Sequence, residues 1–139
     1  STVLMAAGLD LPGNVRGIIA DCGFTSPYDI FRHVLHIQFG MPSFPLMNLT
    51  KMVVKHKAGF GYKDVSTREV LKTCKIPVLF IHGGKDKFVP TQMTLDNYSV
   101  CASPKELLIV PDAAHATSNM VEPERYRATA LAFMKKYEK

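Results

Sequence analysis

The stretch that most constrains this chain is residues 76–90, IPVLFIHGGKDKFVP. An unbroken, partly β-branched apolar run, residues 77–81, leads into the glycine pair Gly83-Gly84 and then Asp86. A short apolar run bounded by turn residues reads as a strand buried on both faces of a parallel sheet. In open parallel sheets the chemistry gathers beyond the carboxyl ends of the strands, which is where Asp86 stands. The same grammar returns downstream: Leu107-Leu108-Ile109-Val110 stops at Pro111, and His115 follows in the next loop. Two successive strands therefore carry an acid and then a histidine to one edge of one sheet.

The remaining elements fit around that pair. Residues 2–7 read as helix, with Gly8 in the left-handed position that ends many helices; residues 10–14 are a loop. A strand is predicted at residues 15–20 (VRGIIA). Ser26-Pro27 opens a helix, with serine as N-cap, proline at the first helical position and Asp29 in the first turn. Residues 40–62 carry Met41, Met47 and Met52 among prolines and aromatics, with one helix over 46–56. Those methionines are read first as core filling and otherwise as the adaptable lining of a cap over a cleft. Ser66-Thr67-Arg68-Glu69 has the form of a capping box opening a helix that runs to Thr73. Further helices are predicted over 91–101 and from about residue 123. In the last, Tyr126, Ala130, Phe133, Met134 and Tyr137 form an apolar stripe. Alternating strands and helices imply an α/β fold with three parallel strands joined by right-handed crossovers.

His115 lies in PDAAHATS, where small neighbours leave an imidazole accessible. A lone loop histidine is ordinarily a surface residue. Here its place after a buried strand makes it a candidate base, since a carboxylate on one ring nitrogen fixes the tautomer while the other takes a proton. Asp86 is the natural orienting acid, and its plainer reading is a turn aspartate. Asp21, also at a strand end, is the competitor, with Asp86 preferred. His82 precedes two glycines, but the third glycine of an oxyanion loop of HGGG type is missing, so it reads as a strand-end residue in a structural turn. Cys22 reads as a buried structural thiol, Ser26 as a helix cap and Ser118 as a loop serine. No glycine-rich phosphate loop supports a flavodoxin-like nucleotide-binding domain.

With HGGKDKFVP, then VPDAAHATS, then a terminal amphipathic helix, the chain resembles the carboxyl-terminal part of the α/β-hydrolase fold, in its prolyl-oligopeptidase-like and acyl-ester hydrolase branch. The resemblance spans nearly the whole chain; HGxxDxxVP is its specific piece, and Ala114 replaces the glycine that often precedes the histidine. It implies that Asp86 is the acid and His115 the base of a Ser-Asp-His triad cleaving carboxylic esters, or amides and peptides. The G-x-S-x-G nucleophile elbow is absent from these residues. Residues 1–5 resemble the helix after that elbow, so the serine is expected upstream, the chain is expected to be a partial α/β-hydrolase domain, and alone it is expected to be inactive. Residues 27–62 are expected to form a cap or lid segment.

The net charge of +5 is modest and spread out, which favours a solvated basic surface over a nucleic-acid or lipid-binding face. Cys22, Cys74 and Cys101 are odd in number and lack metal-ligand spacing, suiting a reducing compartment; the cytoplasm is mildly favoured, with any amino-terminal signal outside the sequence. No cofactor and no metal is expected. No apolar run approaches the roughly 20 residues of a membrane helix. The expected partners are a small ester or peptide substrate, and the protein's own amino-terminal half or a second copy docked along an exposed strand edge. The alternative is a non-catalytic α/β domain that mediates protein association.

Overall fold

The computed structural model describes residues 1–138. Its centre is strand β2 (Val78–Gly83), buried at every position. It pairs in parallel with β1 (Ile18–Asp21) on one side and β3 (Lys105–Val110) on the other, giving the order β1-β2-β3. Because successive side chains alternate across a strand, β2 feeds two cores. Val78 and Phe80 join Leu4, Ala7, Leu71, Cys74 and Cys101 under helices α1 (Thr2–Ala6), α4 (Thr67–Leu71) and α5 (Thr91–Val100). Leu79 and Ile81 meet Leu108, Val110, Ala113 and Phe133 under helix α7 (Pro123–Tyr137). Each fully buried large side chain contributes about 1.5–3 kcal/mol, so this strand anchors both layers. None of the described helices is long and apolar enough to cross a membrane.

Pairing decides where the strands begin and end. β1 starts at Ile18, not at residue 15, where its amide first reaches the Pro77 carbonyl at 2.9 Å. β2 starts after Pro77, which has no N–H to give. It runs beyond Ile81 to Gly83, whose register partner is Val110. As an edge strand, β3 buries Leu108 and Val110 while leaving Leu107 36% exposed.

Several local expectations are corrected. Gly8 is not left-handed; a β-carbon there would sit 2.9 Å from Val70 Cγ1, so its smallness lets α1 lie on α4. Ser66 makes no capping hydrogen bond and α4 ends at Leu71. Glu69 instead pairs with Lys72 at 2.7 Å, and the buried Thr67 hydroxyl meets Asn97 Oδ1 at 2.7 Å. A short helix α6 (Ser118–Val121) precedes α7, so Ser118 is a buried helix residue, not a loop serine. In the α7 stripe, Phe133 is buried while Met134 is 47% exposed.

Helix α2 (Pro27–Phe39) forms as expected, with Ser26 Oγ accepting from the Asp29 amide at 3.1 Å and Gly40 closing it in left-handed geometry. Helix α3 (Leu46–Ala58) is longer than expected because Gly59, also left-handed, supplies its end. The reading of the methionines of residues 40–62 as core filling holds for Met47 alone, 2% exposed; Met41, ahead of α3, and Met52 are 41% and 70% exposed.

Candidate active site

The aligned carboxyl ends of the three strands place three loops side by side. The loops after β2 and β3 are pressed together at the glycine pair. A β-carbon on Gly83 would collide with the carbonyl oxygens of Ala113 and Ala114, and one on Gly84 would lie 2.6 Å from that of Pro111. Two backbone bonds seal the seam, Gly84 N to Val110 O at 2.8 Å and Lys85 N to Ala113 O at 2.9 Å, while Ala113 N to Val110 O at 3.2 Å turns the histidine loop. The HGG element is thus a structural turn, and its glycines exist for close backbone approach.

Across that seam, His115 Nδ1 donates to Asp86 Oδ2 at 2.7 Å, a charge-assisted hydrogen bond. A carboxylate only accepts, so Nδ1 carries the proton and Nε2 presents its lone pair. Nε2 has no protein partner among the described residues, and 39% of the His115 side chain is exposed. Phe88 lies against the ring with centroids 5.0 Å apart. Asp86 is a turn aspartate as well: its Oδ1 accepts the amides of Phe88 and Val89, each at 2.9 Å. The two readings offered for it are one structure, in which one oxygen builds the loop and the other holds the imidazole. Burial pushes the Asp86 carboxyl up, but the His115 N–H and the Val89 and Phe88 amides outweigh it and hold the group below its ordinary value.

His82 does more than end a strand. It is fully buried, with Nε2 2.9 Å from the Val89 carbonyl and 3.1 Å from Asp86 Oδ2. Since a carbonyl only accepts, Nε2 carries a ring proton, while Nδ1 lies 2.6 Å from the Thr94 hydroxyl, which itself donates to the Gly23 carbonyl at 3.1 Å. His82 therefore forms the polar floor of the Asp86 loop, with no exposure to substrate. Its burial within an otherwise apolar strand was the available signal.

Asp21, the competing acid, faces elsewhere. Its Oδ1 accepts from Cys22 Sγ at 3.1 Å and its Oδ2 from the Tyr126 hydroxyl at 3.2 Å. Cys22 stands at the site's wall, its Sγ accepting the Ala116 amide at 3.3 Å. Burial pushes its thiol up to about 12, with the Ala116 amide opposing and Asp21 adding to the rise, so at neutral pH it is a protonated, weak nucleophile. Cys22 (φ 54°) and Ala116 (φ 56°) are the non-glycine residues with left-handed backbone among those described. Such geometry costs on the order of 1–3 kcal/mol each and persists where the surroundings impose it. That both strained residues bond each other at this spot marks it out; nothing in the linear sequence announced it.

No family model matches the sequence. The uncharacterised Bacillus subtilis protein YqkD is 30% identical over 133 residues, covering 96% of this chain and 44% of YqkD. Among solved structures, an esterase from Pyrococcus furiosus superposes with a TM-score of 0.70 at 15% identity, covering 98% of this chain and 50% of its own. The acylaminoacyl peptidase of Pyrococcus horikoshii gives 0.66 at 21% identity, over 96% of this chain and 22% of its own. Acetyl xylan esterase 1 from Thermoanaerobacterium gives 0.60 at 20%, over 94% and 40%. The chain thus spans half or less of the length of these relatives. At such identities a likeness speaks for the fold alone: three parallel strands flanked by helices, matching the carboxyl-terminal part of the α/β-hydrolase fold.

Proposed function

We propose that this chain supplies the acid and the base of a serine hydrolase that cleaves carboxylic esters, or amides and peptides, in a longer protein. The observation that carries the reading is the 2.7 Å bond from His115 Nδ1 to Asp86 Oδ2 at the strand ends. In the intact enzyme a serine upstream of this sequence attacks the acyl carbon and His115 Nε2 takes its proton. Asp86 holds the ring and stabilises the imidazolium, and the same proton then passes to the leaving group. The 139 residues alone lack nucleophile and oxyanion donors, and are expected to be inactive. Residues 27–62 form part of a cap over the substrate, their exposed Phe31, Phe39, Met41 and Phe44 suiting an apolar acyl or alcohol group. That the structural relatives include two esterases and a peptidase supports the reaction class.

The test is a fluorophosphonate serine probe with an ester hydrolysis assay on the longer protein. The expected result is labelling of a serine in a G-x-S-x-G sequence upstream, no labelling of the 139-residue chain, and loss of hydrolysis in His115→Ala. Hydrolysis that survives His115→Ala would refute the assignment. A second reading, a non-catalytic association domain, draws on the outer edge of β1, which has no strand partner among the described residues. Its occupant would be the protein's own amino-terminal half or a second copy. A strictly monomeric chain at micromolar concentration in sedimentation, together with serine labelling of the longer protein, would remove that alternative.

A further inference from the structure

Read along the chain, the cysteines show no ligand spacing; the fold supplies what the sequence hides. The donor atoms of Cys22, Asp86 and His115 all lie within 4.8 Å of one another. They come from three different loops, after β1, β2 and β3, so the grouping is built by the tertiary structure. The left-handed backbone at Cys22 and Ala116, with the Ala116 amide on Sγ, fixes the sulfur in place. Cys22 is a free cysteine.

We propose that Cys22 Sγ, Asp86 Oδ2 and His115 Nδ1 form an inhibitory binding site for Zn²⁺. A thiolate, an imidazole and a carboxylate are the ligand types zinc takes, whereas Mg²⁺ and Ca²⁺ want oxygen alone. Bonds of about 2.3 Å to sulfur and about 2.0–2.2 Å to nitrogen and oxygen put tetrahedral ligand atoms roughly 3.3–3.6 Å apart. The Asp86–His115 pair must open from 2.7 Å, and any ligand pair near the 4.8 Å limit must close, towards that spacing, shifts of about 1 Å that side-chain rotation provides. Around the ligands the supporting bonds remain: the Phe88 and Val89 amides on Asp86 Oδ1 and the Ala116 amide on sulfur. Such partners orient ligands and strengthen binding. Three protein ligands leave the fourth position for water.

The inhibition follows from the tautomer and rests on the proposed role of His115 as base. A neutral imidazole has one N–H and one lone pair. With zinc on the Nδ1 lone pair, the ring proton must sit on Nε2, the atom that has to accept the nucleophile's proton. The metal also takes the Asp86 oxygen that orients the ring. Binding releases the Cys22 thiol proton to solvent and moves the His115 proton from Nδ1 to Nε2; Asp86 is already a carboxylate, so charge and protons balance.

Cobalt(II), titrated into the reduced 139-residue protein, reads the site independently of any enzymatic role. The expected result is one equivalent bound with a sulfur-to-cobalt charge-transfer band and the intense visible bands of a tetrahedral site, bleached by Zn²⁺. Cys22→Ser should abolish the charge-transfer band, and His115→Ala should weaken binding by at least about tenfold. The Cys74→Ser/Cys101→Ser double variant should keep the spectrum. An octahedral spectrum in the wild type, or a band that survives Cys22→Ser, would overturn the site. In the longer protein, Zn²⁺ should reversibly suppress ester hydrolysis and Cys22→Ser should raise the inhibitory concentration at least about tenfold. A tetrahedral cobalt spectrum with hydrolysis undiminished by zinc would retain the site and refute its inhibitory role.

Discussion

The strand-end loops and the α2–α3 region are built on opposite principles. At the strand ends, nearly every polar atom is held from within the chain: Asp86 has four donors around its carboxylate, and the Gly83-Gly84 seam clamps the histidine loop. In α3 the pattern reverses. Met47 is buried, while Leu49, Met52 and Val53 are 60%, 70% and 52% exposed. The first region holds its acid and imidazole with bonds made among these residues, so their geometry can be read as chemistry. The second presents large apolar side chains to whatever lies opposite, the behaviour expected of a lid over a cleft or of a surface covered by more protein.

The contrast can be tested by substitution, beginning with the largest effect. In the longer protein, Asp86→Asn should lower kcat by on the order of 10⁴-fold, because an amide can favour the wrong His115 tautomer without moving the ring; steady-state ester hydrolysis checks this. Next, Met47→Ala should destabilise the chain by about 2–5 kcal/mol in denaturant unfolding, whereas Met52→Ser, on the same helix, should stay within about 0.5 kcal/mol. Equal losses at both would show that α3 packs differently from this account. Gly83→Ala should cost about 1–3 kcal/mol as the seam is forced apart, and should also shift the His115 ring resonances. The smallest effect is in pH dependence. Asp86 is held below its ordinary value in the folded state, so its contribution is fully present above the unfolded value of about 3.9 and is lost as pH falls through the folded one. The gap between unfolding curves of wild type and Asp86→Asn should therefore begin to narrow below about pH 4 and go on narrowing as pH falls further, and a constant gap would contradict the buried, donor-rich carboxylate described here.

What the sequence made legible follows the same division. Residues 77–81 announced a strand buried on both faces and 107–110 a second strand, which proves half-buried at the sheet edge and starts at Lys105; from their turn-residue ends the meeting of Asp86 and His115 followed. The role of His82 was only half legible: its neighbours marked a turn, but its partners Thr94 and Val89 come from α5 and the loop before it. Cys22 was legible only as a buried thiol, since its position beside His115 depends on a left-handed backbone that no sequence pattern signals. The Ser66 capping box has the right letters, yet Glu69 finds Lys72 and tertiary contacts of Thr67 override the local motif. In α3, apolar residues spread around the helix gave no single face, so pattern alone could not separate Met47 from Met52.

Everything turns on His115 carrying its proton on Nδ1 and donating it in a hydrogen bond to the Asp86 carboxylate. Nitrogen-15 and proton NMR of the histidine-labelled protein reads this directly. The expected result is an Nδ1–H tautomer with a strongly deshielded, slowly exchanging proton that disappears in Asp86→Ala. An Nε2–H tautomer for His115, or a resonance indifferent to Asp86→Ala, would contradict it.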